Sequence, residues 1–361
     1  MPNIGDGERK TQNRVVKFFQ KNLHYTYLGS LHDSENSNIM QERLHAWLGK
    51  QGYPKKLAAN AVDTLVKTST NLQQGLYQAN KEVYSLLKYG AKVKEAADQP
   101  PRTVYFIDFE DVGKNDFYIA EEVTVVGGNT KRPDLVIYVN GIALAVIELK
   151  KSSVSVSNGI RQNLTNQKSN FIEDFFTTIQ FCMAGNDSEG LRYGTLRTPE
   201  THYLEWKDDG FIECQPERDI VDIEVEEYCE GIPGKLEKQL FALFYKKRFL
   251  DLIHNFVIFD NGYKKVCRYN QYYAIKRAQH RLTDKKRGGI VWHTQGSGKT
   301  LTMVWLSKWI LENNPNARVL VVTDRKELDE QIERKYKGVN ESIVRTKSGK
   351  DLLERLNTFD D

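Results

Sequence analysis

The sequence predicts an α/β protein in which a mixed sheet flanked by helices precedes the first part of a parallel α/β lobe. Two β-rich apolar runs, at 135–139 and 142–149, are joined by Asn140-Gly141, a dipeptide typical of hairpin turns. A shorter β-like run at 289–292 leads through a glycine-rich loop into a helical pattern at 301–310. The two patterns lie far apart in the chain, and each predicts the centre of one domain.

The N-terminal part of the chain, to about residue 97, is expected to be helical, because its apolar residues recur at helical spacing. We predict helices at 11–23 and 38–48, and two helices within 55–89. The sequence Gln99-Pro100-Pro101 ends this region, since proline lacks a backbone N–H and cannot continue a helix.

Strands and helices then alternate as far as Gly231-Ile232-Pro233-Gly234, the best candidate for a domain boundary. The expected elements besides the hairpin are strands at 104–109 and 117–126, a helix that contains Gln162, a segment at 175–183, and strands near Tyr193, at 203–206 and at 220–225. One helix from 235 to about 255 would lead into the second lobe. We therefore divide the chain into 1–233, 234–260 and 261–361.

Charged residues stand at the end of the hairpin remote from its turn. Asp134 precedes the first strand, and Glu148 and Lys150 lie at the end of the second. Because side chains alternate across a strand, Glu148 and Lys150 leave the same face. They can therefore act together.

The register of the hairpin decides whether Asp134 joins them. A two-residue loop would set Asp134 opposite Ile147, so that Asp134 and Glu148 would leave opposite faces. A three-residue loop at 139–141, with its last glycine left-handed beside a bulge, pairs Asp134 with Val146 and sets it diagonal to Glu148. We predict the three-residue loop, which brings both carboxylates to one end of the hairpin.

Two carboxylates beside an ammonium group indicate a metal-dependent nuclease site. Carboxylate oxygens suit Mg²⁺, which takes one or two carboxylates and completes its shell with water and phosphate oxygens. We expect Asp134 and Glu148 to bind the ion, and Lys150 to orient the attacking water or stabilise developing charge. The alternative is an ordinary hairpin with solvated charges at its ends.

The arrangement resembles the PD-(D/E)XK nuclease superfamily, and its longer phrases are similar to the restriction subunit of type I restriction enzymes. Those phrases are Arg132-Pro133-Asp134, Val139-Asn140-Gly141 and Ile147-Glu148-Leu149-Lys150-Lys151. In that family a Gln-x-x-x-Tyr element follows on the next helix. Gln162 matches its glutamine, whereas Asn166 stands at the tyrosine position. Gln162 is thus a candidate to contact a DNA phosphate, and a solvated helix face is the alternative.

The opening of the chain adds one more candidate for the nuclease. The start at Gly7-Glu8-Arg9-Lys10 resembles the acidic opening of the same family, which implies Glu8 as a further nuclease acid. The alternative is that Glu8 only stabilises the dipole of its helix.

A second motif, His-Thr-Gln-Gly-Ser-Gly-Lys-Thr at 293–300, connects the β-like run to the helical pattern. It predicts a phosphate-binding loop whose backbone N–H groups and helix N-terminus face the phosphates of ATP. Lys299 would reach the β- and γ-phosphates, and Thr300 would bind Mg²⁺. The predicted nucleotide-binding residues of the loop are Thr294, Gly296, Ser297, Gly298, Lys299 and Thr300.

The segments on both sides of this loop resemble those of superfamily 2 helicases. Gln271 lies in a phrase similar to their glutamine motif, in which the amide reads adenine; a core helix is the alternative. Thr323 and Arg325 follow an apolar run at 318–322, which we expect to be a buried strand that ends near a DNA backbone or in a simple cap. The sequence lacks the acidic water-positioning motif and the arginines of a second lobe. We therefore expect an N-terminal fragment that contains a whole nuclease domain and the beginning of a RecA-like motor lobe.

Composition is that of a soluble protein of two or three domains, with 361 residues, 28% charged and 40% hydrophobic. The net charge is only +4, so DNA binding would depend on local basic runs such as 246–248 and 285–287. The four cysteines lack the spacing of zinc or disulfide sites and fit a reducing cytoplasm. No apolar run reaches the 18 residues of a membrane span, so no membrane role is expected.

The resemblance implies the DNA-cleaving subunit of a type I restriction–modification system. Such a subunit would cut double-stranded DNA with Mg²⁺, translocate it with ATP, and assemble with methyltransferase and specificity subunits. The sequence leaves two alternatives open. One is a helicase–nuclease of repair or defence without a methyltransferase partner. The other is a non-catalytic DNA-binding or assembly module, for which Asp134 and Glu148 would be dispensable.

Overall fold

The computed structural model describes residues 7–207, 232, 234–285, 287–339 and 342–357, and in it the chain forms two compact units. The first unit comprises the described residues as far as 257, together with 262–272. The second comprises 258–261 and the described residues from 273 onward.

A six-stranded mixed sheet forms the centre of the first unit. The strands of this unit are β1 (Thr26–Ser30), β2 (Ala91–Val93), β3 (Arg102–Val104), β4 (Phe117–Glu121), β5 (Leu135–Val139), β6 (Ile142–Leu149), β7 (Phe181–Asn186) and β8 (Gly190–Gly194). The order in the sheet is β1-β4-β5-β6-β7-β8, with β1 parallel to β4 and β6 parallel to β7. The other neighbours are antiparallel, and β2 pairs with β3 separately. Strands β5 and β6 are buried throughout, as their unbroken apolar sequences predict.

Helices flank this sheet. Those of the first unit are α1 (Glu8–Lys21), α2 (Gln41–Lys50), α3 (Lys55–Thr70), α4 (Leu76–Tyr89), α5 (Val156–Asn166), α6 (Lys235–Phe244) and α7 (Lys246–Asn255). Helix α1 buries an apolar side that includes Val15 and Phe19, and the ring of Phe19 packs on Phe244 of α6. Helix α5 connects β6 to the parallel strand β7. The four N-terminal helices and the helix with Gln162 were predicted; their ends differ by a few residues.

The hairpin of β5 and β6 turns through two residues, so the predicted three-residue loop is wrong. Val139 pairs with Ile142, and both Asn140 (φ 54°) and Gly141 (φ 89°) are left-handed. This is the backbone conformation that a two-residue Asn-Gly turn requires. A Cβ on Gly141 would lie 2.8 Å from the carbonyl oxygen of Met40, so glycine is also required for space.

A bulge inside β6 shifts the pairing register that the two-residue loop would otherwise set. Tyr138 pairs with Ala143, but Ile137 pairs with Ala145, which leaves Leu144 as the extra residue. Beyond the bulge the register continues to Leu135 opposite Ile147, and one further step sets Asp134 opposite Glu148. The prediction that the two carboxylates meet at one end of the hairpin is therefore confirmed by a route that the sequence did not reveal.

Several other predicted elements are corrected. The strand expected at 104–109 ends at Val104, and the stretch at 203–206 contributes only an isolated bridge from Leu204 to Tyr193. The single helix expected from 235 to about 255 breaks at Tyr245, whose extended backbone (ψ 120°) separates α6 from α7. The strand expected at 220–225 and two of the four residues of the boundary at 231–234, Gly231 and Pro233, lie outside the described residues.

The strands β9 (Val257–Asp260) and β10 (Tyr263–Val266) and the helix α8 (Tyr269–His280) follow along the chain. The helices α9 (Lys299–Asn313), α10 (Lys326–Gly338) and α11 (Gly349–Asn357) belong to the second unit. Val304 of α9 packs against Ile332 and Tyr336 of α10. The helical pattern after the glycine-rich loop is thereby confirmed.

The two strands predicted in the second unit, at 289–292 and 318–322, are not formed. Both segments are irregular, and most of their apolar side chains are exposed, with Ile290 93% and Val322 81% exposed, whereas Val321 packs against the cluster around Val304. A strand exists only when it pairs with a neighbour, and neither segment is paired with another strand in the part of the chain that the structure describes. High β-propensity alone therefore does not order them.

Two further expectations concern surface charge and membranes. Arg248, in the basic run at 246–248, is fully buried, with its guanidinium 5.4 Å from the ring centres of both Trp206 and Tyr272, so this run is not an open DNA-binding patch. Among the described residues, no helix combines the length and the apolar character needed to span a bilayer.

Candidate active site

Glu148 is the central residue of the candidate nuclease site. Its carboxyl group is completely buried, and no N–H group or hydroxyl among the described residues donates to either oxygen; the side chain within hydrogen-bonding range is the Asp134 carboxyl. Burial raises the pKa of this carboxyl well above its usual range, and the charge of Asp134 raises it further. An unpaired buried carboxylate is costly, so the fold maintains an unfavourable group at this position.

Close packing of α5 keeps Glu148 away from solvent. Glu148 pairs in register with Ala184 of β7, and Gly159 of α5 lies over both. A Cβ on Gly159 would lie 2.9 Å from the Cβ of Ala184 and 3.3 Å from the Cβ of Glu148. Glycine therefore allows the helix to approach the site this closely.

Asp134 lies beside Glu148 and is mostly buried. Its Oδ2 accepts a hydrogen bond of 2.7 Å from the backbone N–H of Leu149. Burial raises the pKa of Asp134 to about 6, although the nearby Lys150 ammonium and the Leu149 hydrogen bond act against this rise. Two carboxyl groups that interact electrostatically thus share one edge of the sheet.

Lys150 completes the group. Its Nζ donates to Glu8 Oε1 at 2.9 Å and to the carbonyl of Leu149 at 2.9 Å, and it lies 3.8 Å from Asp134 Oδ2. Burial lowers the pKa of Lys150, but the Asp134 charge and the Glu8 hydrogen bond outweigh it, so the pKa is raised overall. The ammonium therefore stays charged beside the carboxylates.

Glu8 is placed at this site by the first turn of α1, as the sequence suggested. It contacts the ammonium of Lys150 rather than the two carboxylates, and its side chain is 45% exposed. The contact makes Glu8 a partner of the lysine, whereas any direct role as a nuclease acid stays a prediction.

The residues of α5 contribute less directly. Gln162 is half-buried on this helix. Asn166, which stands at the family's tyrosine position, is buried, and its Nδ2 has no hydrogen-bond partner in the described residues. The neighbouring Arg161 is engaged by Glu200 in two hydrogen bonds of 2.7 and 2.9 Å. The predicted contact of Gln162 with a DNA phosphate is not tested by this geometry.

The donor set suits a magnesium ion. No N–H group or hydroxyl among the described residues donates to the two buried oxygens of Glu148, and Asp134 lies directly across the hairpin from them. No cluster of three or more His, Cys, Asp or Glu side chains is arranged as a metal site within the described ranges. A cation here would thus rest on two carboxylates and take its remaining ligands from water and phosphate oxygens, which is the usual behaviour of Mg²⁺.

The glycine-rich loop of the second unit has the predicted backbone. Gly296 (φ 78°) and Gly298 (φ 85°) are left-handed, and Gly298 is the N-cap residue of α9. Ser297 folds back onto the carbonyl of Thr294, to which its Oγ donates at 2.8 Å. The Nζ of Lys299 donates to the carbonyls of His293 and Thr294 at 3.2 and 3.0 Å. The loop curls around its lysine at the N-terminus of a helix, a geometry that suits anions.

Gln271 belongs to the first unit and is buried near the start of α8. Its Oε1 accepts a hydrogen bond of 2.9 Å from the backbone N–H of Arg268. The side chain thus caps the start of its own helix, and the predicted contact with adenine stays a prediction.

Comparison with known families agrees with these features. The family described as type I restriction enzyme R protein N terminus matches residues 7–202, more than half of the chain, including every candidate residue of the nuclease site. The chain belongs to this family. A second family, the SWI2/SNF2 ATPases, matches residues 270–361 and covers the glycine-rich loop.

Curated relatives are similar over most of this chain. The putative type I restriction enzyme MjaIXP endonuclease subunit of Methanocaldococcus jannaschii is 30% identical over 317 residues, which are 80% of this chain and 30% of the relative. The type I restriction enzyme HindI endonuclease subunit of Haemophilus influenzae is 29% identical over 320 residues, 83% of this chain and 28% of the relative. The type I restriction enzyme SsaAORF53P endonuclease subunit of Staphylococcus saprophyticus is 26% identical over 256 residues, which are 70% of this chain and 25% of the relative. The chain thus spans less than a third of the length of these R-protein relatives.

Sequence reasoning missed one residue of the nuclease site. Gln12 of α1 is buried and donates from Nε2 to the backbone carbonyl of Asp134 at 3.3 Å. Glutamine in an amphipathic helix carries no motif, so only its place one turn after Glu8 could have suggested it.

Proposed function

We propose that this chain carries the nuclease centre of a type I restriction endonuclease subunit, which cleaves double-stranded DNA with Mg²⁺. The observation that carries the proposal is the fully buried carboxyl group of Glu148 opposite Asp134, to which no N–H group or hydroxyl of the described residues donates, with the Lys150 ammonium 3.8 Å from Asp134. Membership in the R-protein family and the names of the relatives support it.

Each residue has a distinct role in the proposed reaction. Asp134 and Glu148 would hold Mg²⁺, which supplies an acidified water and neutralises charge on the phosphate. The Leu149 N–H fixes the carboxylate of Asp134, and Glu8 holds Lys150 beside it. The Lys150 ammonium then stabilises negative charge that develops on the scissile phosphate. Gln162 on α5 would contact the DNA backbone.

The second unit would bind ATP. The loop residues Thr294 to Thr300 would surround the phosphates, with Lys299 on the β- and γ-phosphates and Thr300 on a second Mg²⁺. Gln271 stays a proposed adenine contact on the resemblance of its motif alone. The match to SWI2/SNF2 ATPases supports this assignment. In the longer protein, nucleotide hydrolysis would drive DNA translocation. We assign 1–233 to the nuclease domain, 234–260 to a bridge and 261–361 to the beginning of a RecA-like motor lobe.

The proposed partners follow from the same identity. As an R subunit the protein would assemble with a methyltransferase subunit and with a specificity subunit that reads the DNA target. A helicase–nuclease of repair or defence would work without either. Co-purification of all three subunits from cells that express the neighbouring genes would distinguish these two assemblies.

The nuclease assignment is tested in the full-length, assembled enzyme. Asp134→Asn, Glu148→Gln and Lys150→Met should each reduce double-strand cleavage at least 100-fold, because each removes a group that acts on metal or phosphate. ATP hydrolysis should stay near the wild-type rate. Lys151→Met is the matched control, since Lys151 is an exposed neighbour.

Two results would contradict the assignment. One is cleavage that survives Asp134→Asn or Glu148→Gln in correctly folded protein. The other is an equal loss of cleavage in Lys150→Met and Lys151→Met, which would show only that positive charge near the DNA matters.

A further inference from the structure

Helix α1 presents one buried amide to the candidate nuclease site. Gln12 is 2% exposed, and its Nε2 donates both to the backbone carbonyl of Asp134 at 3.3 Å and to Glu121 Oε2 at 3.2 Å. The carbonyl of Asp134 also accepts the backbone N–H of Glu122 at 2.9 Å. The backbone carbonyl of Asp134 is therefore held by two donors, and Gln12 is the side-chain donor, which comes from a helix outside the sheet.

Glu121 orients the amide of Gln12. Its carboxylate at the end of β4 accepts Tyr27 Oη at 2.6 Å and Arg9 at 3.2 Å, in addition to Gln12. Burial raises the pKa of Tyr27 to about 12, and its hydrogen bond to Glu121 adds to that rise, so the phenol remains a donor. Three donors thus fix one carboxylate, and that carboxylate fixes the direction in which Gln12 points.

Packing alone does not explain this choice of residue. A glutamine on the buried side of a helix is costly unless its amide is satisfied, and an apolar side chain of similar length would fill the same space. Gln12 donates one hydrogen bond to the backbone carbonyl of Asp134 and one to the Glu121 carboxylate, which orients the Gln12 amide. Glu8, one helical turn earlier, holds Lys150.

We propose that Gln12 is a positioning residue of the nuclease, which fixes the backbone of Asp134 so that its carboxylate faces Glu148 in the geometry a divalent cation requires. The inference rests on the proposed function, since it assigns metal binding to Asp134 and Glu148. Residues that orient metal ligands without touching the metal typically contribute on the order of 10- to 100-fold in metal affinity or activity.

The test is Gln12→Met in the full-length protein, which removes both donors and keeps the length of the side chain. Binding of Mn²⁺ to the nucleotide-free protein is measured by isothermal titration calorimetry, with Asp134→Asn defining the part of the signal that belongs to this site. We expect the dissociation constant for Mn²⁺ to rise on the order of 10-fold or more. In cleavage assays, the half-saturating Mg²⁺ concentration should rise and the maximal rate should fall less.

Gln20→Met is the matched control, because Gln20 is exposed on the same helix. It should leave both the Mn²⁺ affinity and the Mg²⁺ dependence of cleavage unchanged. Tyr27→Phe is the second variant, since it removes one donor to Glu121 without creating a cavity. It should weaken Mn²⁺ binding in the same direction and by a smaller factor.

The outcomes separate this inference from the proposed function. If Asp134→Asn does not reduce Mn²⁺ binding, the proposed metal site itself is wrong. If Asp134→Asn abolishes binding while folded Gln12→Met binds Mn²⁺ as the wild type does, the positioning role is overturned. Should Gln12→Met fail to fold, unchanged Mn²⁺ binding in Tyr27→Phe overturns it equally.

Discussion

The two carboxyl groups of the nuclease site are buried in a way that favours their protonated forms until a cation is present. Glu148 accepts no hydrogen bond from any described residue, whereas Asp134 accepts one from Leu149. Desolvation is the leading cause of the raised pKa in both. Because a divalent cation binds only the ionised forms, proton release and metal binding are linked at this site.

The first prediction is that Asp134 destabilises the metal-free protein as the pH rises. Its pKa is about 6 in the folded protein and 3.8 in the reference state, so the folded protein binds the proton more tightly. The stability that Asp134 contributes is complete below about pH 4 and is lost as the pH rises through about 6. The loss should be on the order of 3 kcal/mol.

Thermal unfolding in EDTA between pH 4 and pH 8 measures this effect. The difference in melting temperature between the wild type and Asp134→Asn should change across the window from about 4 to about 6. Addition of Mg²⁺ above that window should stabilise the wild type and leave Asp134→Asn unaffected. A difference that is independent of pH would show that the aspartate is not held in its protonated form.

At the scale of elements, the bulge at Leu144 decides the geometry of the site. A two-residue turn without a bulge sets Asp134 opposite Ile147 and on the other face from Glu148. The extra residue shifts the pairing register by one residue, so that Asp134 comes opposite Glu148 instead. The arrangement of the candidate site thus depends on leaving Leu144 unpaired in the middle of a buried strand.

The second prediction follows from this register. Deletion of Leu144 should leave Asp134 opposite Glu148, because the deletion removes only the unpaired residue and every observed pair can form in a regular ladder. Insertion of one alanine after Leu144 should shift the register by one residue, so that Glu148 and Asp134 leave opposite faces of the hairpin and cleavage is abolished. Cleavage and Mn²⁺ binding of both variants, at a temperature where each is folded, measure the outcome.

Deletion of a buried leucine is expected to cost roughly 2 to 5 kcal/mol of stability, so the comparison needs unfolding curves beside the activity. An inactive but folded deletion variant, together with an active insertion variant, would refute the role of the bulge.

The third prediction concerns the contact between α5 and the sheet. Gly159→Ala should push α5 away from β6 and reduce cleavage, because the new methyl group would lie 2.9 Å from the Cβ of Ala184. Gly159→Ala combined with Ala184→Gly should restore much of the lost stability and activity, since the space is returned. Melting temperatures and cleavage rates of the two single variants and the double variant form the test. A double variant no better than Gly159→Ala would mean that the helix is not held by this contact.

The sequence reveals the ends of the catalytic hairpin better than its interior. Asn140-Gly141 carries a turn signal, and Asp134 and Glu148 interrupt apolar runs, so both strands were predicted with the observed bounds. The stretch from Ala143 to Val146 is uniformly apolar, and such a run fits either register equally well. The bulge therefore has no signature in the sequence. A three-residue loop was predicted instead, because it also brings the two carboxylates to one end of the hairpin.

The same limit appears in the second unit. Apolar runs at 289–292 and 318–322 predicted strands, yet a strand needs a paired neighbour and neither run has one among the described residues. The loop of Gly296 and Gly298 was predicted correctly, because its left-handed glycines and its helix start are set locally. Features that depend on adjacent residues can thus be predicted from the sequence, whereas features that depend on pairing with distant residues cannot.

At the scale of the whole molecule, the two proposed phosphate-directed sites differ chemically and belong to separate units. The nuclease residues Asp134 and Glu148 belong to the first unit, and the loop with Lys299 belongs to the second. Two sites in separate units can be inactivated one at a time, which allows their contributions in the full-length enzyme to be measured separately.

The last prediction is that Lys299→Ala in the full-length assembly removes ATP hydrolysis and ATP-dependent cleavage but leaves the metal site intact. Lys299 donates to the carbonyls of His293 and Thr294 at the start of α9, a position from which its ammonium can exchange these contacts for nucleotide phosphates. Without that charge, ATP binds weakly and translocation stops, while Asp134 and Glu148 are unchanged. Calorimetric Mn²⁺ binding to nucleotide-free Lys299→Ala should therefore match the wild type, and Lys308→Ala, on the body of the same helix, should keep both activities. Loss of Mn²⁺ binding in folded Lys299→Ala would mean that the glycine-rich loop, not the hairpin, accounts for the measured metal site, and the separation of roles would fail.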